Sequence, residues 1–200
     1  MNVLQARGLA KRFEARRVFG PLDFDVESGS VVAVVGRNGA GKSTLLKIVA
    51  GLERASRGEV KWCDDTDSEL RTLCGLSAPD APWPRELTAL ENLEFVARVR
   101  NLDEDTESLM SHLESFGLRG RDNSLSGDLS SGLRTRLSLA LATLHAPPIL
   151  LLDEPSANLD ELGRELVVRV LEVQRTRGIA LVATNDEREA AWCDARIELG

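Results

Sequence analysis

Three stretches of the chain are short and apolar, Val31–Val35, Ile149–Leu152 and residues 179–184, and a fourth, Ala195–Leu199, is short but carries Arg196 and Glu198. Runs of this length predict strands, and the uncharged ones predict strands buried on both faces, as in a parallel sheet covered by helices. Elsewhere the spacing of apolar residues becomes helical. Leu45, Ile48, Val49 and Leu52 predict one helix, and Leu109, Met110, Leu113 and Phe116 another that Gly117 can end. Leu133, Leu137, Leu141 and Leu144 predict a third, with Arg134 and Arg136 elsewhere on its surface. Leu162, Leu166, Val167, Val170 and Leu171 predict a fourth over 161–176, with Glu165 and Arg169 placed to pair outside. Thr88 and Glu91 have the spacing of a capping box at the start of another helix. The order is a β region over 1–35, a strand and helix, a helical stretch from about Pro84 to Ala146, then α/β again.

Composition narrows what such a chain does. Its 200 residues suit one domain, with 42% hydrophobic and 28% charged residues. The net charge of −7 argues against nucleic acid as the main ligand. No apolar run reaches the ~20 residues that span a bilayer, and "MNVLQARGLAKRF" lacks the apolar core of a secretion signal. A membrane role would therefore come through a partner, with the chain itself in the cytoplasm. Cys63, Cys74 and Cys193 have neither zinc nor redox spacing and read as reduced and structural. His112 and His145 fall in helix-like segments without partners at metal-ligand spacing.

The first predicted strand runs into Gly36, Arg37, Asn38, Gly39, Ala40, Gly41, Lys42, Ser43 and Thr44, which contain G-x-x-x-x-G-K-[ST]. Glycines let the backbone coil around phosphate oxygens with its N–H groups inward. A helix starting near Lys42 directs its positive end at the anion. Lys42 adds charge for the terminal phosphates, and the Ser43 hydroxyl suits Mg²⁺. ATP with Mg²⁺ is the expected ligand pair. The strand Ile149–Leu152 ends in Asp153 and Glu154, two acids that packing explains poorly. Asp153 can hold Mg²⁺ opposite Ser43, and Glu154 can polarise an attacking water. Ser130, Ser131 and Gly132 open the third helix and form a second potential anion site. The polar stop after strand 179–184, Asn185 and Asp186, reads alone as a turn.

Leu129-Ser-Ser-Gly-Leu133 resembles the LSGGQ signature of ABC-type ATPases, at the right distance before Asp153-Glu154. Ser156-Ala-Asn-Leu-Asp160 resembles that family's D-loop, and Leu87–Leu93 the segment after its Q-loop. The resemblance covers nearly the whole chain. It implies a P-loop NTPase core of ABC type, in class α/β, with an N-terminal antiparallel β region and an inserted helical subdomain. The core would comprise 1–79 and 147–200, and the helical subdomain 80–146, together a single ABC ATPase domain. It further implies a head-to-tail homodimer, or a pair with a related subunit, hydrolysing ATP for a separate transmembrane subunit. Ser130, Ser131 and Gly132 would act on the partner's nucleotide, and Asp160 would link the sites. Adenine would stack on Phe13. Trp83, with Pro79, Pro82 and Pro84, would lie near the contact with the membrane subunit.

Two positions depart from the pattern. The family's switch histidine corresponds to Asn185, which can hydrogen-bond phosphate but cannot become a cation. The Q-loop glutamine corresponds to Asp80, or to Pro79. An Asp could still hold Mg²⁺ or its water. Leu133 also stands where the signature usually has Gln. Either Asp80 and Asn185 are working substitutes and ATP is hydrolysed, or ATP closes a dimer with little turnover. Short chains with "LTALENL" resemble the ATP-binding subunit of the haem exporter used in cytochrome c maturation, with other small exporter subunits close behind.

Overall fold

A computed structural model describes residues 2–63, 69–80 and 83–200; Pro82 and the side chain of Cys63 lie outside the described residues. Two sheets organise the chain. The smaller is antiparallel, in the order β2–β1–β4, from β1 (Val3–Phe13), β2 (Arg16–Glu27) and β4 (Arg57–Cys63). The larger is parallel, in the order β5–β6–β7–β3–β8. It contains β3 (Val31–Gly36), β5 (Cys74–Ser77), β6 (Ile149–Asp153), β7 (Ile179–Thr184) and β8 (Ala195–Leu199). β6 and β7 are buried along their whole length, which is why their sequences carry no alternation.

The β region expected over 1–35 is therefore not self-contained. Its third strand, β4, arrives only after helix α1 (Lys42–Val49), and β3 belongs to the other sheet. The strands β4 and β5 and the single turn α2 (Leu70–Leu73) carried too short or too mixed a pattern to predict.

Three helices fill the middle of the chain: α3 (Ala89–Val99), α4 (Thr106–Ser115) and α5 (Ser131–Thr143). The capping box of α3 forms as predicted. Glu91 N donates to Thr88 Oγ1 at 3.2 Å, and Thr88 N donates to the Glu91 carboxylate at 2.7 Å. In α4, Leu109 and Leu113 are buried and Phe116 caps the helix before Gly117, but Met110 points outward. α5 differs from a one-faced helix, because Leu137 to Ala142 are buried on every side against β5 and the other helices. Leu52 lies beyond α1, past Gly51, and is exposed. In α6 (Glu161–Arg177), Leu166, Val167 and Leu171 face the core, whereas Leu162 is exposed, and Arg164 pairs with Glu161 (3.3 Å) in place of the expected Glu165–Arg169 pair. α7 (Glu187–Ala190) precedes β8.

His112 lies in α4, its Nε2 2.9 Å from the Ala140 carbonyl and its ring against Phe116. His145 lies in a turn beyond α5 rather than in a helix. Cys74 and Cys193 are free thiols; burial pushes Cys74 up to about 12 and Cys193 up to about 11, so both stay protonated and unreactive. No helix among the described residues is long and apolar enough to cross a membrane.

Candidate nucleotide site

The site is assembled from loops at the carboxyl ends of β3, β6 and β7. That edge of an open parallel sheet is where successive loops can converge on one ligand. β3 delivers the chain into Gly36–Gly41. Gly41 has φ +99°, and a Cβ there would meet Val18 Cγ1 at 2.5 Å, so only glycine allows the loop to turn into α1 over β2. Lys42 starts α1 but its side chain folds back and is nearly buried. Its Nζ donates to the Gly36 carbonyl at 2.9 Å and to Asn185 Oδ1 at 2.6 Å. Asn185 Nδ2 in turn donates to Asn38 Oδ1.

β6 delivers Asp153 and Glu154. Asp153 is 8% exposed and hydrogen-bonds Ser43. Burial raises its pKa, and nearby Asp80 adds to that, while Ser43, Lys42 and Lys47 oppose it. Glu154 is exposed at φ +48°, a region costly for a residue with a Cβ. Its backbone N–H donates to Ala183 O at 2.8 Å, anchoring the strained residue to β7.

Asp80 reaches the same neighbourhood. It lines a cleft of about 390 Å³ with Asp153, Glu154, Ser131 and Trp83. Its carboxylate is held by Lys47 Nζ at 2.7 Å. Lys47 carried no sequence signal beyond its place on α1.

A second cleft of about 390 Å³ joins the phosphate loop to the β1–β2 hairpin: Phe13, Asn38, Gly39, Lys42, Ser43, Thr44 and Glu154 line it among others. Phe13 is 48% exposed, so it is not a core residue. Lys11 Nζ lies 4.5 Å from its ring centroid. Glu154 lines both clefts.

Ser130, Ser131 and Gly132 start α5, with Ser130 Oγ accepting from Leu133 N at 3.3 Å. A Cβ on Gly132 would sit 2.8 Å from the Asn158 carbonyl, so α5 packs directly on the 156–160 turn. Asp160 caps α6 through Gly163 N at 2.9 Å and pairs with Arg136 at 3.0 Å. The Gly163 amide first, then Arg136, holds the Asp160 carboxyl below the usual range. The structure brings Phe13, the phosphate loop, Asp153, Glu154 and Asn185 together. Ser131 lines the Asp80–Glu154 cleft, but Ser130, Ser131 and Gly132 do not line the phosphate-loop cleft.

The donor set fits Mg²⁺. A hydroxyl and a buried carboxylate in hydrogen-bond contact, Ser43 and Asp153, are hard oxygen ligands of the kind Mg²⁺ takes. Bound there, Mg²⁺ supplies charge neutralisation for the phosphates.

The family model for ABC transporters matches residues 19–157. The chain belongs to the ABC transporter family. It is an ATP-binding ABC ATPase domain, and ATP with Mg²⁺ is what such domains bind. An aliphatic sulfonates import ATP-binding protein from Paraburkholderia xenovorans is 38% identical over 98% of this chain, which spans 56% of that protein's length. A cytochrome c biogenesis ATP-binding export protein from Haemophilus influenzae is 35% identical over 92% of this chain and 89% of its own length. Its counterpart from Xanthomonas campestris is 40% identical over 92% and 86%. Among solved structures, an ABC transporter ATP-binding protein from Pyrococcus furiosus superposes with a TM-score of 0.83 at 25% identity, covering 98% of this chain and 97% of its own. A dimeric ATP-binding cassette in a post-hydrolysis state with ADP and Pi (MJ0796) gives 0.86 at 24%, covering 98% and 94%, and shares the fold.

Proposed function

We propose that this ABC ATPase hydrolyses ATP in a head-to-tail dimer and drives a separate membrane subunit. One observation carries the reading. Lys42, Asn185 and Asn38 form a single hydrogen-bonded chain at the end of β3 and β7, with Glu154 lining the cleft they face. These bonds support reading Asn185 as the switch residue. Its amide N–H groups are the ones that can turn to a terminal phosphate oxygen while Oδ1 keeps Lys42 in place. Glu154 accepts the proton of the attacking water. Lys42 and the loop amides hold the β- and γ-phosphates. Ser43 and Asp153 would hold the metal, and Asp80, if freed from Lys47, would offer a further oxygen.

The dimer follows from what the cleft lacks. Ser130 and Gly132 do not line the phosphate-loop cleft of their own chain, so a second copy is the natural recipient of that helix start. For the membrane partner, the supporting feature is a groove of about 540 Å³ lined by Leu52, Phe95, Val99, Trp83 and Arg100 among others. Leu52, Phe95 and Val99 are large apolar residues left exposed there. Trp83 lines both this groove and the Asp80–Glu154 cleft, a physical route between partner and chemistry. The residues 80–146 would form the helical lobe that receives the partner, placing the chain on the inner face of a membrane. Haem export in cytochrome c maturation is the favoured cargo reading, supported by two export relatives matched over most of their length. Sulfonate import is the alternative, supported by 38–41% identity to importers.

The test is Mg²⁺-ATP turnover of the chain beside Glu154→Gln. Removing the base is expected to lower kcat by about 10²-fold or more while ATP still binds. If the unaltered chain binds ATP without turnover and Asn185→His restores it, the protein is an ATP-driven clamp instead.

A further inference from the structure

Behind the switch residue lies a buried acid that the chemistry above does not use. Glu189, on α7, is 2% exposed. Its Oε1 accepts from Ser156 N at 2.8 Å and from Ser156 Oγ. Its Oε2 is buried with no hydrogen-bond partner among the described residues. A buried carboxylate without a cation is costly, and a neutral side chain would pack more cheaply. Something other than packing is served by aiming it at Ser156.

The surroundings say what. On one side, Glu189 is four residues from Asn185. The connection is stiff: Asp186 N donates to Thr184 Oγ1 at 2.9 Å, Arg188 N donates to Asp186 Oδ1 at 2.8 Å, and Ala190 N donates to Asp186 O at 3.0 Å. On the other side, Ser156 begins the turn that carries Asp160. Ala157 O accepts from Thr135 Oγ1 at 3.3 Å, and Asp160 pairs with Arg136, both on α5. The links run from Lys42 through Asn185, α7, Glu189 and Ser156 to α5, whose Ser130–Gly132 start does not line the phosphate-loop cleft of its own chain.

We propose that Glu189 is a positioning residue that couples the switch Asn185 to the 156–160 turn, so that occupancy of one site sets how Asp160 and the Ser130–Gly132 helix start are presented to the other. This rests on the dimer reading above. It requires no change in nucleotide contact within the chain, because the Glu189 carboxylate bonds to Ser156 and neither residue lines the phosphate-loop cleft.

The experiment compares Glu189→Gln, Glu189→Ala and Ser156→Ala with the unaltered chain in ATP affinity, kcat, Hill coefficient for ATP and amide exchange across 156–160. Glu189→Ala should leave nucleotide affinity within twofold, lower kcat at least tenfold, bring the Hill coefficient towards one and speed exchange at 156–160. Glu189→Gln keeps an acceptor for both Ser156 bonds and should recover most of kcat. Ser156→Ala loses only the hydroxyl bond and should fall between. Unchanged kcat and Hill coefficient in folded Glu189→Ala would overturn the proposal, as would an equal loss of affinity and rate. If Glu189→Ala does not fold, Ser156→Ala carries the same test, and normal exchange and cooperativity there overturn it. Failure of the unaltered chain to bind ATP would sink the site reading instead, while exchange at 156–160 still decides the Glu189 link.

Discussion

Asn92 stands in Leu87–Leu93, one of the segments that resemble the family, and the structure gives it a structural task. Its side chain is buried, and Nδ2 donates to the carbonyls of Pro84, Leu87 and Thr88 and lies 3.2 Å from Ser126 Oγ. It closes the loop that brings Trp83 back to α3. Thr88 O keeps a bond from Asn92 N, Leu87 O one from Ser126 N and Pro84 O one from Ser126 Oγ, so Asn92→Leu loses only the amide's share, and the expected cost is about 1 kcal/mol of unfolding free energy, read from urea midpoints. A change under a few tenths would mean that water reaches these carbonyls. His145 makes a pH-dependent contribution. Burial first, then Arg100, pushes its imidazole down to about 4, and burial lowers His112 as well. Both are neutral in the fold. An imidazole depressed on folding costs nothing above its unfolded pKa of about 6.5 and destabilises progressively as pH falls from there towards the folded value. Unfolding free energy should therefore drop between about pH 7 and pH 5. His145→Leu should flatten that slope; an identical slope in the variant would assign it wholly to other groups.

The seam between β5 and α5 shows how closely elements approach. A Cβ on Gly75 would lie 1.9 Å from the Ala142 carbonyl and 2.8 Å from Pro147 Cγ. Neither neighbour can yield easily, since one is helix backbone and the other ends the connection to β6. Gly75→Ala should cost ~2 kcal/mol or more, measured by thermal unfolding, through displacement of α5. A neutral result would show that the helix can slide. The same seam marks where sequence pattern stops being informative. The strands β3, β6 and β7 were legible because burial on both faces leaves uninterrupted apolar runs. α5 was legible as a helix but not in its surroundings, because its buried positions wrap all round while the predicted face used leucines alone. Spacing puts Met110 and Leu162 on the apolar faces of their helices, yet both are exposed, since helical period fixes a direction and neighbours decide what covers it. β4 and β5 were not readable at all: one is half charged, the other four residues long. In the site, the residues fixed by contiguous motifs were legible, from Gly36 to Thr44 and at Asp153 and Glu154. Lys47 and Glu189 were not, because each acts through a partner distant in sequence, Asp80 and Ser156.

At the scale of the whole molecule, the two clefts that share Glu154 lie on either side of the same strand ends, and one of them shares Trp83 with the apolar groove. Three tryptophans are present in the chain. Trp62 is buried in the antiparallel sheet and Trp192 is partly buried against the core near α7. Only Trp83 stands half-buried at the meeting of the groove with the cleft of Asp80. The protein therefore carries its own optical reporter at its most informative place. Acrylamide quenching of indole emission should weaken when a partner helix fills the groove, and its emission should shift when Mg²⁺-ATP draws Asp80 from Lys47. Trp83→Phe should remove both signals, and a signal that survives that substitution would belong to Trp192.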